Sequence, residues 1–89
     1  MADVIERALA LQRRAAALGF DWPDVQGVLD KLDEEREELA EALSQSAERQ
    51  RHELGDVLLT VINLARHLDV DPAAALEAAN ERFRRRFAQ

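Results

Sequence analysis

Cysteine is absent from the 89-residue chain, and glycine and proline are scarce, with three and two residues. The absence of cysteine excludes disulfide bonds and thiolate metal sites. Only two histidines are present, which argues against a histidine-rich zinc site. With 47% hydrophobic and 34% charged residues, the composition predicts a folded, helical protein. Because so short a chain buries only a modest core, a stable form needs a tight bundle or a partner chain.

Long apolar runs are also missing, and acidic residues are in excess. No run approaches the roughly 20 residues needed to span a bilayer. Residues 1–11 lack the basic start and apolar core of a signal peptide, so we expect a soluble cytoplasmic protein without a membrane segment. The chain has 18 acidic and 12 basic residues, a formal net charge of −6. This balance argues against general affinity for nucleic acid or for an anionic membrane surface.

The local patterns predict four helical segments and no strands. The segments cover about residues 2–18, 23–43, 47–68 and 72–87. Gly19 ends the first segment, and Asp71-Pro72 opens the fourth as an N-cap followed by a proline in the first turn. Short connections make consecutive helices antiparallel neighbours. We therefore predict an all-α, antiparallel four-helix chain that forms one domain over residues 1–89.

An acidic residue interrupts the apolar stripe of the second segment. At about 100° per residue, the stripe consists of Val25, Val28, Leu29, Leu32, Leu39, Ala42 and Leu43. The position between Leu32 and Leu39 should also be apolar, but it is Glu35. Glu38 follows one turn later at the edge of the stripe, whereas Glu34 falls on the far side. Glu35 is therefore predicted to point at the core, with Glu38 beside it.

A second acidic pair borders the apolar stripe of the third segment. That stripe consists of Leu54, Val57, Leu58, Val61, Leu64, Ala65 and Leu68. Glu53 and Asp56 are three residues apart on one side of it, which is also the spacing of Glu35 and Glu38. If the two helices form a hairpin that turns at Gln45-Ser46, Glu38 lies level with Glu53, and Glu35 with Asp56. We therefore expect each of the four carboxylates to face another at its own height in this hairpin.

Four carboxylates cannot share a partly dry site unaided. At about 5 Å and an effective dielectric of about 20, each pair costs on the order of 3 kcal/mol. Protonation, basic partners or a bound cation would relieve the repulsion. An all-oxygen cluster on rigid helices suits a hard ion such as Mg²⁺ or Mn²⁺. A solvated acidic face is the alternative, and Glu35 inside an apolar stripe is the observation that supports the metal cluster.

The fourth segment offers basic residues for phosphate binding. Its apolar stripe consists of Leu76, Ala79, Phe83 and Phe87, with Asn80 inside it. Arg82 and Arg86 are four residues apart on one flank, where they could clamp phosphate oxygens. The alternative is a basic helix end that complements the helix dipole. Lys31 likewise could bind phosphate or pair with a neighbouring glutamate.

The sequence does not match other catalytic motifs. Residues 52–56 look like half of a zinc-protease helix, but the second histidine is missing, so this interpretation is rejected. No glycine-rich phosphate loop is present, and no Ser/His/Asp or Cys/His set can be assembled.

Longer motifs stand beside the acidic pairs. They are Gly19-Phe20-Asp21-Trp22, Glu34-Glu35-Arg36-Glu37-Glu38, Glu53-Leu54-Gly55-Asp56, Asn63-Leu64-Ala65-Arg66, Asp71-Pro72, Ala79-Asn80-Glu81-Arg82-Phe83 and Arg86-Phe87. Together they resemble the MazG family of nucleoside triphosphate pyrophosphohydrolases, in the all-α NTP pyrophosphatase superfamily. The family's acidic motif is EExxE followed at a distance by ExxD. The resemblance extends from Leu11 nearly to the end of the chain.

The resemblance implies a Mg²⁺-dependent hydrolase that splits a nucleoside triphosphate between the α and β phosphates. The products are a nucleoside monophosphate and pyrophosphate, and the implied role is nucleotide-pool cleansing. By position, the implied metal ligands are Glu35, Glu38, Glu53 and Asp56. The implied phosphate or ribose contacts are Asn80, Arg82 and Arg86, with Lys31 as a further candidate. Arg82 stands where the family usually has lysine, which keeps the charge but changes its geometry.

The expected assembly is a homo-oligomer, a dimer or tetramer, in which the chains pack into a helical bundle. Mg²⁺, or Mn²⁺ in its place, is the expected cofactor, and a nucleoside triphosphate is the expected partner. Glu34 or Glu38 is the candidate that accepts the proton of the attacking water. The alternative function is a non-catalytic helical module, related to the family, that only oligomerises or regulates.

Overall fold

The computed structural model describes residues 3–88, which contain four α-helices and no strand. The helices are α1 (Val4–Ala17), α2 (Val25–Ala42), α3 (Ala47–His67) and α4 (Pro72–Phe87). The all-α class and the order of the helices are confirmed. The predicted start of the first helix at Ala2 lies outside the described residues. None of the helices within residues 3–88 combines the length and apolar content that crossing a membrane would require.

Side-chain caps fix where each helix begins. The N-cap residues are Asp3, Asp24, Ser46 and Asp71, and each side chain accepts a hydrogen bond from a backbone N–H of the first turn. Such caps satisfy donors that have no partner inside the helix. At α4, the carboxylate of Asp71 accepts from the N–H groups of Ala73 and Ala74 at 3.0 and 3.4 Å, and Pro72 stands in the first turn. This start agrees with the sequence prediction.

The helices α1 and α3 end in the same kind of turn, but with different residues. Each turn contains a residue of positive φ, which is 91° at Gly19 and 57° at Asp69. The N–H groups of Phe20 and Val70 then donate 2.9 Å hydrogen bonds back to carbonyls of the last helical turn. Glycine adopts this conformation freely, whereas an L-residue with a Cβ pays about 1 kcal/mol or more. The end at Gly19 was predicted, and the strained end at Asp69 was not.

The α2–α3 hairpin holds most of the contacts between helices. α1 packs on α3, and α4 contacts α3 less extensively. The buried side chains of the hairpin are Val28, Glu35 and Ala42 of α2, and Glu53 and Thr60 of α3. The hairpin interior is therefore partly polar, with two glutamates among its most buried residues.

The apolar stripe of α3 is only partly covered. Leu54, Leu58, Val61 and Leu68 of this stripe are 44–56% exposed, whereas its other members are half-buried. Glu53 and Thr60, on the polar border of the stripe, are buried. The Thr60 hydroxyl donates to the backbone carbonyl of Asp56 at 2.8 Å. The most buried side chains of α3 are therefore polar.

Candidate metal centre

The hairpin brings Glu35, Glu38 and Glu53 together. Each offers a carboxylate oxygen, and these three oxygens lie within 4.8 Å of one another. Glu35 is 4% exposed and Glu53 is 2% exposed, whereas Glu38 lies at the surface. Glu35 is buried, as the interruption of the apolar stripe predicted. The arrangement differs from a solvated acidic face because two of its three members are inside the protein.

Asp56 joins this cluster through Glu53. His52, Glu53 and Asp56 form a second group whose ligand atoms also lie within 4.8 Å of one another. Asp56 is half-buried, and its Oδ2 lies 3.3 Å from His52 Nε2. The four carboxylates singled out in the sequence therefore form one continuous cluster. Glu53 stands in the middle of it, and His52 at one end.

Each buried glutamate has a basic partner one turn earlier on its own helix. Lys31 Nζ lies 3.0 Å from Glu35 Oε1, and Arg49 Nη2 lies 2.7 Å from Glu53 Oε1. The hydrogen bond to Glu35 raises the pKa of Lys31. Pairing with Glu35 is one of the two alternatives that the sequence left open for Lys31. Arg49 was not singled out, although its four-residue spacing from Glu53 is the signal that identifies it.

The second oxygen of each buried carboxylate has no partner. Glu35 Oε2 and Glu53 Oε2 are buried and accept no hydrogen bond from the described residues. A buried charged oxygen without a partner is costly, since it has lost its hydration. Oxygen ligands on rigid helices are what Mg²⁺ and similar hard ions prefer. The residues present therefore fit a divalent metal ion.

The pKa of Glu38, the exposed member of the cluster, reflects the same excess of negative charge. The charge of Glu35 raises the pKa of Glu38, and desolvation and Glu53 act in the same direction, while Lys31 opposes them. Carboxylates held close together disfavour the ionised form of one another. A cation among them would reverse this effect. Glu34, in contrast, is exposed and belongs to neither group of candidate ligands.

The predicted phosphate contacts lie on a helix that packs little against the hairpin. Asn80, Arg82 and Arg86 are exposed on α4, which makes only small contact with α3. The ion pair found on α4 is internal, between Arg84 and Glu81 at 2.6 Å. Within residues 3–88, no ion pair links α4 to the carboxylates.

A polar network at the opposite end of the hairpin was not foreseen. Asp21 Oδ1 lies 2.6 Å from Arg66 Nη2 and 2.9 Å from His67 Nε2. Arg66 also donates to Asn63 Oδ1 at 2.8 Å. The hydrogen bond from Arg66 is the main cause that lowers the pKa of Asp21 to about 2. The network ties the connector between α1 and α2 to the end of α3.

A cavity of about 320 Å³ lies beside this network. Its lining includes the aromatic rings of Phe20 and Trp22 and the side chains of Gln12 and Asn63. Trp22 packs closely over Gly27, where an added Cβ would lie 3.1 Å from Trp22 Cε3. The sequence motifs at residues 19–22 and 63–66 therefore lie close together in the fold. The spacing of residues within either motif does not predict this proximity.

Comparison with known proteins assigns the family. The MazG nucleotide pyrophosphohydrolase domain matches residues 23–88, which include α2, α3 and α4. The chain belongs to the MazG family. This confirms the resemblance seen in the sequence motifs.

Two curated MazG relatives show the extent of the similarity. The nucleoside triphosphate pyrophosphohydrolase/pyrophosphatase MazG of Thermotoga maritima is 39% identical over 87 residues, which cover 98% of this chain and 33% of the relative. The nucleoside triphosphate pyrophosphohydrolase of Escherichia coli K12 is 43% identical over 84 residues, which cover 91% of this chain and 32% of the relative. The chain spans about a third of the length of these relatives.

Proposed function

We propose that this MazG chain hydrolyses nucleoside triphosphates to nucleoside monophosphates and pyrophosphate. The proposed metal ligands are Glu35, Glu38, Glu53 and Asp56, and the proposed ion is Mg²⁺, with Mn²⁺ as a substitute. The observation that carries the proposal is the pair of buried glutamates on facing helices, each with an unpartnered oxygen. The names of the two relatives support the activity. The proposed role is nucleotide-pool cleansing in the cytoplasm.

The chain's own residues would prepare the site for this chemistry. A divalent ion would supply charge neutralisation for the triphosphate and activation of a water molecule. Lys31 and Arg49 hold one oxygen of Glu35 and Glu53, so that these carboxylates are oriented before substrate arrives. Glu38 lies at the surface beside them. It is the better candidate to accept a proton, since Glu34 lies outside the cluster.

Phosphate binding is proposed for Asn80, Arg82 and Arg86, with Lys31 at the edge of the cluster. Because α4 makes only small contact with α3, and no ion pair links the described part of α4 to the carboxylates, we propose that a second chain contributes to a complete site. A homo-oligomer, a dimer or tetramer, would also cover the exposed apolar side chains of α3 and α4. Leu58 and Phe83, for example, are 56% and 66% exposed, and burying such residues is the usual driving force of association.

The activity is tested by incubating the chain with a panel of ribo- and deoxyribonucleoside triphosphates and Mg²⁺. We expect pyrophosphate and nucleoside monophosphate in equal amounts. The Glu53→Gln variant should lose at least about 100-fold in rate, since even groups that only support metal ligands cost up to that much. Glu48→Gln changes an exposed acid in the first turn of α3 and should leave the rate unchanged.

Two results would count against this function. Release of orthophosphate instead of pyrophosphate would mean cleavage at a different bond. Pyrophosphate release no greater than that of Glu53→Gln would favour the alternative, a non-catalytic MazG module. The small contact between α4 and α3 within one chain is the observation that favours that alternative.

A further inference from the structure

The cavity of about 320 Å³ combines two aromatic rings with two side-chain amides. Phe20, Trp22, Gln12 and Asn63 are among the residues that line it. Phe20 and Trp22 are 77% and 42% exposed, so part of each aromatic side chain is accessible to a ligand. Aromatic rings stack on planar heterocycles, and amides form hydrogen bonds with the polar edges of such rings.

The structure fixes the orientation of the Gln12 amide. Its Nε2 donates to the backbone carbonyl of Leu59 at 3.0 Å. Because a carbonyl only accepts, the nitrogen must face Leu59, and Oε1 is left as an acceptor. This oxygen is buried and has no hydrogen-bond partner among residues 3–88. An unpartnered buried acceptor is costly, so a ligand that brings an N–H donor would stabilise this position.

The amide of Asn63 is fixed in the opposite sense. Arg66 donates to its Oδ1 through Nε at 3.0 Å and through Nη2 at 2.8 Å. Because arginine has no acceptor, the oxygen faces Arg66, and Nδ2 is left to donate. The lining of the cavity therefore includes one amide that accepts and one that donates. The edges of nucleobases carry donors beside acceptors, and glutamine and asparagine are suited to them.

The cavity and the carboxylate cluster lie along one face of α3. Asn63 follows Asp56 by seven residues, which is about 10 Å along the helix axis. Residues with this spacing share a face of a helix. A nucleotide whose phosphates reach toward the carboxylates would therefore have its base on the side of the cavity.

We propose that this cavity is a nucleobase subsite in which Gln12 accepts a hydrogen bond from the edge of the base and Asn63 donates one to it. The proposal rests on the proposed hydrolysis of nucleoside triphosphates and adds the residues that recognise the base. Gln12, Phe20 and Trp22 lie outside residues 23–88, which the MazG domain matches. The subsite contains none of the four proposed metal ligands.

The test measures nucleoside binding without metal or phosphate. Trp22 is the only tryptophan, and the chain has no tyrosine, so Trp22 fluorescence reports a ligand in the cavity. Adenosine, cytidine, guanosine and uridine are titrated into the whole chain. Purine riboside, whose base carries no N–H donor, and ribose 5-phosphate, which has no base, are titrated alongside. The variants are Gln12→Met and, as a matched control, Gln26→Met, which changes an exposed glutamine of α2.

We expect at least one nucleoside to change the fluorescence saturably. Purine riboside should bind at least about tenfold more weakly than the tightest nucleoside, since it leaves Gln12 Oε1 without a donor. Ribose 5-phosphate should cause no change. Gln12→Met should weaken the tightest nucleoside at least about tenfold and purine riboside by less than about twofold. Gln26→Met should bind all probes as the unaltered chain does.

Three results would overturn the inference: no nucleoside binding, purine riboside binding as tight as that of the tightest nucleoside, or an equal loss of both affinities in Gln12→Met. The last result would mean that Gln12 only holds α1 against α3. If nucleosides bind as expected but no triphosphate is hydrolysed, the proposed function fails and this inference stands. Hydrolysis with a base preference that Gln12→Met leaves unchanged would support the function and overturn the inference.

Discussion

The α2–α3 hairpin and α4 distribute their residues in opposite ways. The hairpin buries Glu35 and Glu53, whereas α4 buries no residue and leaves Leu76, Phe83 and Phe87 54–66% exposed. In the hairpin, charge is turned inward, and much of the apolar stripe of α3 is exposed. Within one chain, the hairpin assembles a polar site, while much of the apolar surface of α3 and α4 stays exposed and available to another chain. The candidate site and this apolar surface therefore lie on different faces of the molecule.

The largest effect is expected from placing a charge on the apolar face of α4. Phe83→Asp should convert the proposed oligomer to monomers and lower its stability by about 3 kcal/mol per chain, since the contribution of a buried phenylalanine is lost. Light scattering coupled to size-exclusion chromatography measures the change. Val4→Asp alters an apolar residue that is 83% exposed on α1 and should leave the mass unchanged. An unaltered chain that is already monomeric would contradict the proposal that a second chain covers the apolar face of α4.

Inside the hairpin, Arg49→Ala should lower the free energy of unfolding by about 2 kcal/mol. Removing one partner of a buried ion pair costs more than this, but Arg49 is half exposed, and solvent screening reduces the loss. Urea unfolding measures the difference. Arg51→Ala removes an exposed arginine from the same turn and should cost less than about 0.5 kcal/mol. Equal losses of unfolding free energy for the two substitutions would show that the ion pair of Arg49 with Glu53 does not stabilise the folded protein.

The network of Asp21, Arg66 and His67 should make the free energy of unfolding depend on pH in the acidic range. Because Arg66 holds the pKa of Asp21 at about 2 instead of 3.8, the ionised form stabilises the folded state. That stabilisation is complete above pH 3.8 and is lost as the pH falls through about 2. Asp21→Asn should therefore destabilise the protein by about 1 kcal/mol at neutral pH.

Unfolding of both proteins across this pH range checks the prediction. The difference between the unaltered chain and Asp21→Asn should shrink as the pH falls. Asp33→Asn, which changes an exposed acid of α2, serves as the control. A difference that stays constant down to the lowest pH would mean that the contact of Asp21 with Arg66 adds nothing through its charge.

The smallest effect is expected at the helix ends. Asp69→Gly should raise the free energy of unfolding by about 0.5–1 kcal/mol, because glycine adopts the positive φ of this turn without strain. Gly19→Ala should lower it by about 1 kcal/mol for the opposite reason. Thermal unfolding of the pair gives both values. A loss of stability in Asp69→Gly would indicate that the aspartate side chain contributes more than its backbone strain costs.

The sequence predicted features that local signals control. Gly19 and Asp71-Pro72 mark helix ends through backbone chemistry, and Glu35 is conspicuous because it occupies a position where the helical period requires an apolar residue. The placement of Asp21 against Arg66 and His67 could not be predicted, since these residues are far apart in the sequence and no periodicity links them. The one-domain assignment over residues 1–89 and the roles of the site residues stay predictions.

The exposure of much of the α3 stripe was also beyond prediction. The pattern defines an apolar face and a polar border, but it does not say which of their residues the fold buries. The burial of Glu53 on the border is accompanied by its ion pair with Arg49. Arg49 itself follows a simple four-residue rule.

Thermal and urea unfolding with and without Mg²⁺ tests the central claim most directly. The claim is that the hairpin holds a carboxylate pocket for a divalent ion. A ligand at about 100 times its dissociation constant adds about 2.7 kcal/mol to stability. The account predicts a gain of this kind in the unaltered chain and in Glu37→Gln, an exposed acid of α2, and its loss in Glu53→Gln. An equal gain in all three proteins, or none in the unaltered chain, would contradict it.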